Sequence, residues 1–200
     1  MSPYLPVPDR VEYPARVLIL AVTIWYFSRR LLTLRNSFFL LSFWVGVAVF
    51  AIWVAPDLLV PGWRSHWLFQ NDITGSLKSS ISEESLRDWF VLIVRSIRAI
   101  VIVPIVEELF WRGWLMRWLA GQDFQKVPLG TYEPRAFWIT ALLFAAEHGP
   151  YWEVGLLAGV VYNWLMVRTR SLTACILAHA VTNACLCLFV VATGRWEYWL

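Results

Sequence analysis

The chain has 200 residues, of which 59% are hydrophobic and 16% are charged. A soluble domain has about a quarter of its residues charged, so this composition argues against a soluble fold. The net charge of +3 is small, and no basic run is interleaved with aromatic residues, which argues against a nucleic-acid-binding protein. The 14 tryptophans fit a lipid bilayer environment, because amphipathic rings favour the membrane interface.

Polar connections divide the chain into apolar segments. The opening segment has four prolines among its first 14 residues and is predicted to be irregular or interfacial. Pro61–Asp88 is polar and is predicted to be an extramembrane loop with a short helix starting near Ser82, and Gly121–Arg135 is a second polar connection. The apolar segments predict six helices, at Val17–Phe27 with its flanks, Phe38–Val60, Trp89–Leu119, Ala136–His148, Val154–Val167 and Leu172–Thr193.

These segments predict an all-α protein, a polytopic transmembrane bundle of about six spanning helices in one domain, residues 1–200. Phe38–Val60, for example, is long enough to cross a hydrocarbon core of about 30 Å. The N-terminus has no basic region before an apolar core, so the first apolar stretch is expected to be retained rather than cleaved. With the compact size, this favours a bacterial plasma (inner) membrane. Cys175, Cys185 and Cys187 all lie in the last segment and are expected to be small buried hydrophobes.

The third segment carries Glu107, Glu108 and Arg112 inside apolar sequence. An ionisable residue in a membrane segment costs free energy unless it is paired or hydrated, so it is a functional hypothesis by default. Glu108 and Arg112 are four residues apart on one helix face and are predicted to form an ion pair. Glu107 is turned by about 100° from Glu108, which leaves it free to face a different cavity.

Two further segments carry histidines at helical spacing from a second side chain. Phe144 and His148 are four residues apart, as are His179 and Asn183. Counted along their helices, these polar residues and Glu107 lie at a similar depth, within a turn or so of one another. The sequence therefore predicts one site built from three helices.

The three groups resemble the motifs of a known family, and they occur in its order over roughly the last 100 residues. Pro104-Ile-Val-Glu107-Glu108-Leu-Phe-Trp-Arg112-Gly113 resembles its Glu-Glu-x-x-x-Arg motif. Phe144-Ala-Ala-Glu-His148 resembles its Phe-x-x-x-His motif, and His179-Ala-Val-Thr-Asn183 its His-x-x-x-Asn motif. The family is that of the CAAX-protease and bacteriocin-processing proteins, intramembrane glutamic endopeptidases related to the Rce-type CAAX prenyl proteases.

The resemblance implies a hydrolase whose catalytic motifs lie in 104–183 and whose substrate is a membrane-anchored peptide or protein tail. Residue chemistry supports this, since a carboxylate and an imidazole can together orient and deprotonate a water. Glu107 is the expected general base, and His148 the residue that positions the same water. His179 and Asn183 are expected to donate hydrogen bonds to the oxyanion.

The other three motif residues are expected to support the site. Glu108 and Arg112 hold the helix in place, because a paired carboxylate is a poor base. Phe144 is expected to pack beside His148.

Alternatives stay open at this stage. A glutamate and two histidines could ligate a catalytic zinc, but no His-Glu-x-x-His helix occurs, so no cofactor is expected. A transporter or ion-path component would use the same buried charges, and a catalytically silent scaffold or immunity protein would share the fold. Arg95 and Arg98 are expected to extend to the interface or to bind a substrate carboxylate. The role of Glu147, the oligomeric state and prenylation of the substrate are left undetermined.

Overall fold

The computed structural model of the protein describes residues 8–28, 37–77, 84–121 and 123–199. These ranges contain six helices and no strand, with one isolated β-bridge between Asn71 and Gly75, and the predicted all-α class is confirmed. The helices are α1 (Asp9–Ser28), α2 (Phe39–Leu59), α3 (Trp89–Ala120), α4 (Pro134–Ala146), α5 (Trp152–Thr169) and α6 (Leu172–Thr193).

Two predicted boundaries were wrong. The opening segment is not irregular throughout, because α1 begins at Asp9 and continues through Pro14. Pro14 has no N–H group, so the helix loses one backbone hydrogen bond there. The first turn is closed by the Pro8 carbonyl, which accepts from the amides of Val11 and Glu12. Residues 1–7 and the predicted helix end at Arg29 and Arg30 lie outside the described residues.

The second error concerns the end of α4, which stops at Ala146, two residues before the predicted end. His148 therefore lies in a turn. Gly149 has φ +51°, a left-handed conformation that ends a helix, and Pro150 follows it.

The polar loop is largely irregular where it is described. Its regular parts are two 3₁₀ turns, Trp63–Ser65 and Ser85–Arg87. The predicted start of a helix near Ser82 falls outside the described residues. These resume at Glu84, immediately before the second turn. The Asp88 carboxylate then accepts from the Phe90 amide and caps α3. The Arg10 guanidinium from α1 donates a hydrogen bond to the Asp88 carboxylate, which lowers the pKa of that carboxyl.

Within the described ranges, three helices are long and apolar enough to cross a membrane, namely α2, α3 and α6, and α4 is a shorter apolar helix. Large apolar side chains cover the outside of the protein; Leu40, Leu59 and Leu188 are each at least 70% exposed. A soluble monomer rarely shows so much contiguous apolar surface. The protein is therefore a membrane protein, as the composition predicts.

Helix α3 contains two π-helical segments that the sequence analysis did not predict. They span Arg98–Ile102 and Leu109–Leu115 and flank the α-helical segment Val103–Glu108. The first has a sequence cause, since Pro104 lacks an N–H and its ring crowds the carbonyl four residues earlier. π-helical turns are frequent at functional sites, and here they flank both glutamates.

The bundle is built from two extensively packed helix pairs, α2 with α6 and α4 with α5, with α1 against the first half of α3. The central core contains side chains from α2, α3, α4, α5 and α6, among them Val49, Leu115, Phe144, Leu165 and Ala178. The polar residues of the predicted site lie against this core.

The Gly46→Ala substitution is expected to destabilise the protein by about 1–3 kcal/mol, because overpacking forces the backbones apart. A Cβ atom at Gly46 would lie 2.4 Å from the Ala178 carbonyl oxygen and 2.7 Å from the Val181 Cβ, where α2 crosses α6. The matched control is Gly113→Ala in α3, whose added Cβ would meet nothing closer than 3.6 Å. Thermal unfolding in detergent measures both variants, and equal midpoints would contradict the close α2–α6 packing.

Candidate active site

The two adjacent glutamates of α3 face different surroundings, as their offset on the helix predicts. Glu108 is fully buried, whereas Glu107 lines a cavity and keeps about a quarter of its side chain exposed. Glu107 Oε2 itself is buried and has no hydrogen-bond partner among the described residues. A buried carboxylate oxygen needs a donor, so this atom is suited to hold a water or a substrate group.

Glu108 and Arg112 form the predicted ion pair in a fully buried setting. Arg112 Nη1 lies 3.0 Å from Glu108 Oε1, and both side chains are 0% exposed. The guanidinium also donates from Nε to Asn163 Oδ1 at 2.9 Å and from Nη2 to the Gly159 carbonyl at 3.3 Å. Asn163 in turn donates to the Phe137 carbonyl at 2.8 Å. This network ties α3 to α4 and α5.

His179 is the second partner of the Glu108 carboxylate. Its Nδ1 lies 2.9 Å from Glu108 Oε1, and because a carboxylate only accepts, this nitrogen carries the proton. Its ring stacks on Tyr162 at 5.2 Å between centroids. The other ring nitrogen, Nε2, lies 4.0 Å from Glu107 Oε2. Glu108 therefore orients His179 so that Nε2 points toward Glu107.

His148 is oriented by its own turn. Its Nδ1 lies 2.6 Å from the Phe144 carbonyl oxygen, which can only accept, so Nδ1 carries the proton and Nε2 keeps a lone pair. The ring also packs on Phe144, with centroids 4.6 Å apart, and against the edge of Trp53 at 5.1 Å. The predicted packing of Phe144 beside His148 is thus observed.

A buried arginine holds this turn from outside the helices. Arg64 donates to the Pro150 carbonyl at 2.6 Å and pairs with Asp57 at 2.9 Å and Glu153 at 2.8 Å. The guanidinium also lies 3.9 Å from the ring centroid of Tyr151. The loop after α2 therefore fixes the turn that carries His148, a contribution that the sequence analysis missed.

Asn183 has a partner that was not predicted. Its Nδ2 donates to the Ala99 carbonyl at 2.8 Å, in the first π-helical segment of α3. One amide hydrogen is thereby engaged, and a second hydrogen and the Oδ1 atom remain.

One cavity of about 420 Å³ is lined by all four residues predicted to be catalytic. Arg95 and Arg98 also line it, so these arginines face the interior site. Its aromatic wall includes Tyr198, whose hydroxyl donates to Asp57 at 2.8 Å. Burial raises the pKa of Tyr198, and the bond to Asp57 raises it further, so this phenol stays protonated. The four predicted catalytic residues that line the cavity are Glu107, His148, His179 and Asn183. Other lining residues include Arg95, Arg98, Glu147, Trp53, Phe144, Tyr151, Tyr162, Tyr198 and Trp199.

Glu147 joins Glu107 and His148 in a cluster that could hold a metal ion. One ligand atom from each of the three lies within 4.8 Å of the others. Trp111 Nε1 donates to Glu147 Oε1 at 3.1 Å, and the Phe144 carbonyl orients His148, as outer partners of metal ligands do. The zinc ligands weighed from the sequence were a glutamate and two histidines. In the structure a second glutamate takes the place of His179 in the cluster.

Tyr162 and Asn163 were not predicted from the sequence; Tyr162 stacks on His179, and Asn163 accepts from Arg112. Tyr162 donates to Thr182 at 2.7 Å, and Thr182 donates to the Gly46 carbonyl at 2.9 Å. A lone asparagine in an apolar helix is a signal that could have identified Asn163, because such residues form hydrogen bonds between membrane helices.

The fold and the site define a helical membrane protein with carboxylates and imidazoles around one internal cavity. Residues 89–185, which contain all seven motif residues, match the family model described as type II CAAX prenyl endopeptidase Rce1-like. Over these residues, just under half of the chain, the match confirms the predicted CAAX-protease family, which is a family of proteases. Comparisons with curated proteins and with solved structures give no significant match.

Proposed function

We propose that the protein is an intramembrane endopeptidase that hydrolyses a peptide bond with a water activated by Glu107 and His148. The observation that carries this proposal is the convergence of Glu107, His148, His179 and Asn183 on one cavity of about 420 Å³. They come from α3, the turn after α4, and α6. Membership in a protease family supports the same activity.

In the first step, the water lies between Glu107 Oε2 and His148 Nε2. The unpaired carboxylate oxygen takes a proton from the water, and the imidazole nitrogen accepts the second hydrogen as a hydrogen bond. The hydroxide oxygen attacks the scissile carbonyl and forms a tetrahedral intermediate. Glu107 then gives its proton to the leaving amine, and the C–N bond breaks.

His179 and Asn183 stabilise the oxyanion of that intermediate. Asn183 donates its second amide hydrogen. His179 Nδ1 already donates to Glu108, so donation from Nε2 requires the imidazolium form. Glu107 is protonated at this stage, so the Glu108 carboxylate and the oxyanion itself lie beside that positive charge. The pair of Glu108 and Arg112 is then a positioning device for His179.

The substrate is a membrane-associated peptide or protein tail, which reaches the cavity from the bilayer. The family model concerns prenyl endopeptidases, and a prenylated substrate is one class within this proposal. We place the protein in a bacterial inner membrane, with several helices crossing it.

A metalloprotease is a second candidate, and the cluster of Glu107, Glu147 and His148 favours it specifically. A bound divalent cation would supply Lewis-acid activation of the attacking water. Glu107 and His148 would then be ligands instead of groups that act on the water directly.

Cleavage in reconstituted liposomes separates these chemistries. Membrane-anchored peptides, prenylated and unprenylated, are offered to wild type and His148→Ala, with and without chelator. We expect chelator-resistant cleavage by wild type and a loss of about 10²-fold or more in His148→Ala. Chelator-sensitive cleavage that returns with added zinc identifies the metalloprotease. If the protein conducts ions through the liposome membrane without cleaving any peptide, it is a transporter. If cells that express His148→Ala behave like cells that express wild type, the protein is a silent scaffold.

A further inference from the structure

The catalytic cavity has a cationic end as well as an acidic one. Arg95 and Arg98, three residues apart on α3, line it together with Glu107 and Glu147. Glu107 has a role in the proposed hydrolysis, whereas the two arginines have none. This arrangement indicates a binding site for a negatively charged part of the substrate.

The two arginines differ in their surroundings. Arg95 Nη1 donates to the Tyr13 hydroxyl at 3.1 Å, and its guanidinium lies 5.7 Å and 5.6 Å from the rings of Tyr13 and Trp199. Arg95 is therefore engaged within the protein. Arg98 is only partly exposed and has no carboxylate within 4.0 Å in the ranges that the structure describes.

A guanidinium in this position is suited to an anionic ligand. Arg98 is half-buried and lies near Arg95, a like charge. A carboxylate would satisfy its planar donor fork with two parallel hydrogen bonds, which are stronger than neutral ones. Arg98 also borders a second, apolar cavity of about 440 Å³ between α1 and α3, which meets the site at Glu107.

The position of Arg98 along α3 sets the length of substrate that fits between Arg98 and Glu107. Arg98 precedes Glu107 by nine residues, about 13 Å of helix. An extended peptide advances about 3.3 Å per residue, so about four residues cover this distance.

We propose that Arg98 binds a carboxylate of the substrate about four residues beyond the scissile bond, and so selects where the chain is cut. The inference rests on the proposed endopeptidase function and names its substrate class. The carboxylate is either the C-terminal α-carboxylate of a short tail or an aspartate or glutamate side chain at that position.

Peptide substrates that differ only in this group test the proposal. N-palmitoyl decapeptides with apolar tails are made as the free acid, as the amide, and as the amide with a glutamate as last residue. Wild type, Arg98→Gln and Arg98→Lys are compared in liposomes, with Arg135→Gln, an exposed position on α4, as the control. Thermal unfolding confirms that the variants fold.

For the free acid, we expect Arg98→Gln to raise KM by at least about tenfold with kcat nearly unchanged, since a charged hydrogen bond is lost. Arg98→Lys recovers part of the loss, and Arg135→Gln shows none. The amide has the raised KM already in wild type, and Arg98→Gln leaves it unchanged. The amide with the terminal glutamate distinguishes an α-carboxylate from a side-chain carboxylate. If the site accepts a side-chain carboxylate, this peptide has the low KM of the free acid; if the site requires the α-carboxylate, it has the raised KM of the plain amide. Equal KM for acid and amide in wild type overturns the proposal.

Direct binding separates this proposal from the endopeptidase function. Fluorescent acid and amide peptides are titrated against the same proteins in detergent micelles. Tighter binding of the acid that is lost in Arg98→Gln, without cleavage of any peptide, supports the carboxylate site and contradicts the proposed hydrolysis. Cleavage that needs Glu107, with no preference for the acid in either assay, supports the hydrolysis and overturns the carboxylate site.

Discussion

The Glu107→Gln variant is expected to cleave its substrate about 10²- to 10⁴-fold more slowly than wild type, with KM nearly unchanged. Glutamine keeps the shape of the side chain and one acceptor oxygen, but it cannot take a proton from water. The loss therefore falls on kcat. Single-turnover cleavage in liposomes measures it, and circular dichroism checks that the variant remains helical.

The matched control for this prediction is Glu147→Gln, which changes the neighbouring carboxylate in the same cluster. Its side chain is exposed and accepts from Trp111, and the metal-free mechanism gives it no proton to carry. We expect a loss within about tenfold. Equal losses in Glu107→Gln and Glu147→Gln, both reversed by high zinc, would instead identify the two carboxylates as metal ligands. Full activity in Glu107→Gln would refute the assignment of the base.

The Arg112→Met variant is expected to lose about 3–5 kcal/mol of stability, the cost of leaving a buried charge without its partner. Glu108 is 0% exposed, and with Arg112 removed His179 would be its one remaining partner among the described residues. The hydrogen bonds to Asn163 and the Gly159 carbonyl are lost as well. Thermal unfolding in detergent should show a midpoint well below that of wild type.

Two variants sharpen this result. Arg135→Met removes an arginine that is exposed on α4, and we expect it to shift the midpoint little. The double variant Glu108→Gln with Arg112→Met removes the unpaired charge and should recover part of the loss, because replacing both members of a buried ion pair is less costly than breaking it. If Arg112→Met were as stable as Arg135→Met, the network would not stabilise the bundle.

Local patterns in the sequence were sufficient for the helices. Apolar segments bounded by polar connections predicted six helices, and α6 has the predicted bounds, Leu172–Thr193. The predicted bounds of α1 and α4 were wrong near a proline, Pro14, and a glycine, Gly149, respectively. Proline lowers the chance of a helix without forbidding one, and the stop before His148 depends on the backbone conformation of Gly149.

Part of the site also followed from the sequence. Helical spacing predicted that Glu108 pairs with Arg112 and that Glu107 faces elsewhere, and both are seen. These relations lie within one turn of one helix, so the geometry of the helix determines them. The catalytic roles of Glu107, His148, His179 and Asn183 stay predictions until the variants are measured.

Contacts between distant segments were decided by the tertiary structure alone. His179 bonds Glu108, Asn183 bonds the Ala99 carbonyl, and Glu147 lies near Glu107. Each of these pairs joins residues 40 or more positions apart. Periodicity in a sequence shows which side of a helix is polar, but not the rotation or height of the helix facing it. The sequence by itself determined the membrane class, the family motifs and the faces of the helices. Which atoms meet in the cavity depends on how small residues such as Gly46 and Ala178 allow the helices to pack.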